Sequence, residues 1–316
     1  MRFILKKWLG MLLCALWLGQ AAQAEDSIRV VVSIKPLHSL ASGVMKGVAK
    51  PQLLIKGTAS LHHFSLKPSH IRSMQRADLL LWLGASVESS FAKVVEQLPS
   101  SVESLSLLSE TSLIRLPMRA GGVWLHDHDH EHGHDKESEL LATGAKVDPH
   151  LWLDPLNAER IVWRLAEVFS LRDPENKNQY KVNAEALSQQ LQALHKEIKQ
   201  RLQAVQGVPY LVYHDAYHYF EKRYLLAATG SFVLDLSHRP GAKRLSVLRK
   251  KIVSNSIHCA FLEPQYDARL LNSVVSDLPI KVSVLDPLGA DLPAGGELYF
   301  QLMRRLTTQL EACLAD

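Results

Sequence analysis

From Glu175 to Gln206 the chain carries neither glycine nor proline, and Ala184, Leu187, Leu191, Leu194, Ile198 and Leu202 recur every three or four positions. That spacing predicts one amphipathic helix over 174–206, about 30 residues long against a usual 11 to 12. Short apolar, β-branched runs bracket it. On the N-terminal side, 28–34, 52–55 and 78–83 read as buried strands, with a helix over 70–77 led by Pro68. On the C-terminal side, strands are expected over 208–213, 232–236, 259–262 and 281–285, and helices over 244–253, 268–275 and 297–314. Strands alternating with helices at these spacings form parallel sheets. The predicted fold is therefore α/β, with two lobes over 25–173 and 207–316. Each lobe is a mostly parallel sheet flanked by helices, and the long helix over 174–206 is a stiff connector between them.

The first 24 residues read as an export signal. Arg2, Lys6 and Lys7 precede an uncharged apolar stretch over 8–19, and Ala22-Gln23-Ala24 supplies small residues for cleavage. The apolar run falls short of the roughly 20 residues a membrane-spanning helix needs. Removing the segment lowers the formal charge from +4 to +1. A near-neutral chain without a basic run gives no electrostatic reason to expect nucleic acid. Cys14 leaves with the signal, so Cys259 and Cys313 remain. In an oxidising compartment an even pair is most simply a disulfide, here closing a 54-residue loop, with two buried thiols as the alternative.

Histidine is the residue in excess: there are 15, and His126, His128, His130, His132 and His134 alternate with Asp, Glu or Gly. This tract has no apolar residue with which to build a core. It reads as a polar loop that binds Zn²⁺, Ni²⁺ or Cu²⁺ weakly and with loose stoichiometry. A tight site belongs on rigid elements. Three places offer a histidine near a strand end: Leu61-His62-His63-Phe64, Asp148-Pro149-His150-Leu151-Trp152-Leu153, and Tyr213-His214-Asp215. Ligands of parallel sheets bind at the carboxyl ends of strands, so a metal between the lobes is expected.

These segments, in order with Ser33-Ile34-Lys35-Pro36-Leu37, Pro240-Gly241-Ala242, Glu263-Pro264-Gln265 and Leu285-Asp286-Pro287-Leu288-Gly289, resemble the periplasmic zinc-binding proteins of ABC uptake systems, the ZnuA type. The resemblance spans nearly the whole mature chain. It implies a monomer that captures Zn²⁺ in the interlobe cleft. The ion would pass to an inner-membrane permease driven by a cytoplasmic ATPase, with a periplasmic zinc carrier as a further partner. Residue by residue, it implies His62, His150 and His214 as ligands and Asp286 as a carboxylate near the metal. It also implies a Cys259–Cys313 disulfide and a zinc-collecting loop over 126–135. One position departs: the residue before the first ligand, commonly acidic in the family, is Leu61. The fourth ligand is then Asp286, a water or His63.

Three imidazoles with at most one carboxylate suit Zn²⁺, whereas Mn²⁺ favours more oxygen ligands. The competing functions are a manganese or iron transporter, an exported zinc buffer or adhesin, and a zinc hydrolase. The chain has no HExxH sequence to supply a hydrolase's base, so it is expected not to be an enzyme. Asp215 is a candidate to orient His214 or a neighbour, or equally a carboxylate at a helix N-terminus, and His218 is a weak candidate ligand one helical turn on.

Overall fold

The computed structural model describes residues 27–119, 146–233 and 240–315. The export signal and the His-rich tract both lie outside the described residues. Two four-stranded parallel sheets form the frame. The first has the order β2-β1-β3-β4, from β1 (Val30–Val32), β2 (Gln52–Leu53), β3 (Leu79–Trp82) and β4 (Glu103–Ser106). The second has the order β6-β5-β7-β8, from β5 (Pro209–His214), β6 (Ala227–Val233), β7 (Cys259–Leu262) and β8 (Lys281–Val284). Among the described residues, no helix is long and apolar enough to cross a membrane.

Helices connect the strands: α1 (Lys35–Val44), α2 (Pro68–Gln75), α3 (Ser89–Val95), α4 (Pro155–Arg172), α5 (Lys177–Arg201), α6 (His218–Tyr224), α7 (Ala242–Ser254), α8 (Arg269–Val275) and α9 (Leu298–Leu314). The long helix predicted over 174–206 is α5 with a 3₁₀ turn at each end, Pro174–Asn176 and Leu202–Val205. Its apolar stripe packs along α4 and against α1 and α9. The strand expected over 232–236 begins earlier, occupying Ala227–Val233, and 234–236 lie outside the described residues.

Lys35-Pro36, which reads as the start of a loop, opens α1. Proline in a first turn forfeits no helical hydrogen bond. Unforeseen elements include α4, begun by an Asp154 side chain that accepts from Leu156 N, with Pro155 in the first turn. The strand β4, Ser-rich and at a sheet edge, has no apolar signature.

Alternation along the second sheet divides its two faces. Leu211, Tyr213 and Ala260 pack on Leu248 and Ile252 of α7 and Leu271 of α8. Tyr210, Val212, Cys259 and Phe261 point the other way, into a core that is continuous with α4, α5, α9 and the first sheet. Cys259 and Cys313 are bonded to each other, pinning α9 to β7.

The segment between β8 and α9 crosses to the first lobe. Buried Lys35 Nζ donates to Gly289 O, Ala290 O and Leu292 O at 2.6–3.0 Å, satisfying all three ammonium protons. Trp152 Nε1 donates to Pro287 O, and Ser39 Oγ to Gly296 O, each at 2.9 Å. The two sheets are thus held by a common core and by polar clasps near the carboxyl ends of their strands.

Candidate metal centre

Three chain segments deliver one imidazole each to those strand ends. A 3₁₀ turn at Leu61–His63, capped by Ser60 Oγ on His62 N, buries Leu61 and turns His62 inward. His150 immediately precedes the 3₁₀ turn Leu151–Leu153, whose buried Leu151, Trp152 and Leu153 anchor it in the core. His214 is the last residue of β5. Ring centroids lie 5.8 Å apart for His62–His150, 5.7 Å for His62–His214 and 5.2 Å for His150–His214. One ligand nitrogen from each lies within 4.8 Å of the others, so the trio could hold a metal ion.

Two carboxylates orient two of the rings. Asp148 Oδ1 accepts from His150 N at 2.9 Å and from its Nδ1 at 2.8 Å. Glu263 Oε1, just past β7, accepts from His214 N at 3.3 Å and from its Nδ1 at 2.5 Å. With each Nδ1 proton committed, both Nε2 atoms point into the centre, 3.3 Å from one another. Two neutral imidazoles so disposed would oppose lone pairs, so a proton or a cation must lie between them. Tetrahedral nitrogens about 2.0–2.1 Å from Zn²⁺ stand about 3.3 Å apart, which matches the observed edge. His62 Nε2 is buried without a hydrogen-bond partner, an arrangement that metal coordination would satisfy.

The electrostatics divide the imidazoles. Burial, and then repulsion from His150 and His214, pushes His62 down to about 2, so it stays neutral. Burial also opposes charge on His214, but the adjoining Glu263 carboxylate outweighs it and raises the pKa. Asp148 is held below the usual carboxylate range: burial would raise it, and His150 and His218 together prevail.

Other sequence expectations fall outside the trio. His63 is exposed and does not join it. Asp286 is buried nearby, but Oδ1 accepts from Gln265 Nε2 and Leu288 N, and Oδ2 from Ala290 N. Its oxygens organise the 286–290 turn, and it is not a member of the converging group. Asp215 does not orient His214; its carboxylate pairs with Arg119, which also meets Glu221 at 2.7 Å. His218 Nδ1 stands 3.6 Å from Asp148 Oδ2, behind the ligand face. Sequence reasoning assigned Asp148 and Glu263 no role. Asp148, two residues before a candidate ligand, was a local signal; Glu263 is 49 residues from His214 and gave none.

The family model for ZnuA, zinc-uptake complex component A, periplasmic, matches residues 30–313. The chain belongs to the ZnuA family. It is 38% identical over 305 residues to the high-affinity zinc uptake system protein ZnuA of Brucella suis biovar 1 (strain 1330), covering 90% of this chain and 91% of that one. The protein of the same description from Haemophilus ducreyi (strain 35000HP / ATCC 700724) is 34% identical over 291 residues, covering 91% and 93%. A crystal structure of ZnuA shares the fold with a TM-score of 0.76 at 20% identity, covering 92% of this chain and 100% of that chain.

If Glu263 sets the ring and tautomer of His214, Glu263→Gln should weaken metal binding by roughly 10–100-fold. A chelator-competition titration measures this, with thermal unfolding of the metal-free protein as the control for folding. An unchanged affinity would remove Glu263 from the site.

Proposed function

We propose that this protein is the solute-binding component of a zinc ABC uptake system, with His62, His150 and His214 as the ligands of its cargo ion. The observation that carries this reading is the convergence of three imidazoles whose two facing Nε2 atoms have the edge length of a tetrahedral zinc site. Export by residues 1–24 would place it in the periplasm, where an inner-membrane permease with its cytoplasmic ATPase receives the ion. The His-rich tract over 126–135 would collect zinc or accept it from a periplasmic carrier. Family relatives are described as uptake proteins, which fits a carrier that binds and releases without chemistry.

A water is the fourth ligand in this reading. The three histidines line a small cavity of about 10 Å³. Gln265 also lines it. Its Nε2 donates to Asp286, which leaves Oε1 buried, unpartnered and ready to accept from that water. Asp286 therefore acts one step back, through Gln265.

Loading exchanges a proton for the metal. In the metal-free protein the raised His214 supplies the proton that its contact with His150 requires. The sign follows from the direction of the shift. That proton stabilises the metal-free fold below the unfolded histidine value of about 6.5, and the contribution is lost as pH rises through the higher folded value. Zinc competes for the same nitrogen, so affinity should be flat above the folded His214 value and fall about tenfold per pH unit below it. His62, already neutral, adds no competition until strong acid.

The test is a competitive titration of Zn²⁺ against Mn²⁺ in the mature chain lacking residues 126–135, repeated across pH. One tight site, zinc-preferring and proton-linked, is the expected result. A preference for manganese, or loss of the site with the tract, would overturn the assignment.

A further inference from the structure

Three adjoining cavities of about 590, 430 and 540 Å³ meet at Gln52 of the edge strand β2, and none shares a lining residue with the metal cavity. Together they follow the free edge of the first sheet as a groove, two of them between that edge and α2 and the third beside α1 and residues 290–294. Lys50, Arg72 and Arg76 line one end, and Lys56 and Lys67 the other. Among the described residues, no carboxylate lines any of the three cavities.

The sequence shows the same bias. Between Ser27 and Ala77 stand eight lysines and arginines and not one aspartate or glutamate, in a mature chain whose formal charge is only +1. Arg29 is neutralised by Asp78, and Lys35 is buried among carbonyls. Lys50, Lys56, Lys67, Arg72 and Arg76 are exposed, with no carboxylate partner among the described residues. Across the groove, His70 is pushed downward by burial and by the charges of Lys67 and Lys56. Like charges gathered without counter-charge repel one another, so the groove is a standing attraction for an anion.

We propose that this groove is an interaction surface for an extended acidic peptide segment of a partner protein. The five cations are spread along the groove on exposed stems and do not converge in an enclosed pocket, so a single phosphate finds no built site. They line a concavity, which a flat bilayer reaches poorly. Among the described residues the two-residue strand β2 pairs with β1 alone, so the outer side of this short edge presents backbone groups that a peptide can pair with. Acidic side chains would meet the cations on either side of that pairing. Such association would be weak, fast and salt-sensitive.

The probes are a fluorescent oligoglutamate peptide, a neutral Gly/Ser peptide of equal length, and a peptide of equal charge in which glutamate alternates with proline. Each is titrated with the mature protein at low and at physiological salt. The oligoglutamate should bind, the neutral peptide should not, and the proline peptide, which loses every second backbone N–H and is held away from the strand conformation, should bind more weakly. K50E/R72E/R76E should reduce oligoglutamate affinity by roughly tenfold or more. K50Q/R72Q/R76Q should give an intermediate loss, and both variants should keep zinc binding, which also reports that they fold. Failure of the oligoglutamate to bind at low salt would overturn the proposal, as would binding indifferent to the substitutions or to proline. Stronger, equally substitution-sensitive binding to phosphatidylglycerol vesicles would reassign the groove to lipid. Because zinc affinity is read separately, failure here and failure of the transport reading are distinguishable.

Discussion

His214→Ala is expected to abolish tight zinc binding, lowering affinity by more than the roughly 100-fold that the loss of an outer-shell partner can cost. The substitution removes one of the three nitrogens that converge among the described residues, and removes it from the end of β5. It also strips Glu263 of its imidazole partner at a position 3% exposed. A buried carboxylate without a partner destabilises the fold, so a bare alanine variant conflates lost coordination with lost stability. His214→Ala combined with Glu263→Gln separates them, because the amide removes the buried charge while leaving the ligand absent. Chelator-competition titration and the melting temperature of the metal-free protein provide the two readouts. An affinity within tenfold of the unsubstituted chain, with folding retained, would mean that His214 is not a ligand.

Replacing Cys259 and Cys313 together with serine should lower the melting temperature by about 7 °C while changing zinc affinity little. The bond closes 54 residues, for which loop-closure entropy gives about 4 kcal/mol. For about 290 residues that corresponds to a shift of about 7 °C. The effect on stability exceeds that on binding because of where the bond lies on β7. Cys259 begins the strand, whereas Glu263 follows its far end, and Phe261 between them stays embedded in the shared core. Scanning calorimetry with and without reductant reads the shift on the unsubstituted chain as well. A change under about 2 °C would show that the core alone holds α9 against β7.

The two lobes and their connector were legible because they rest on local patterns. A 3–4 spacing free of glycine and proline makes α5, and apolar runs of a few residues ended by Gly84, or at Tyr213-His214, make strands. Where the local signal was absent, reading failed. The edge strand β4 (ESLS) has no apolar face of its own, and β6 (AATGSFV) begins in residues that only pairing with β5 extends. The Asp154-Pro155 start of α4 was present but masked by the ligand segment just before it.

The sequence by itself determined which side chains could bind a metal, and a resemblance spread over several ordered segments selected His62, His150 and His214 from 15 histidines. Only the tertiary structure decided how they are arranged. It brought Glu263 to His214 across 49 residues, placed two Nε2 atoms 3.3 Å apart, and diverted Asp286 into its own turn and Asp215 to Arg119. The physical reason lies in range. Periodicity and capping act between residues a few positions apart, so they are written in the order of the chain. Coordination and the carboxylates that tune it depend on where separate strands end in space, and packing of the common core sets that.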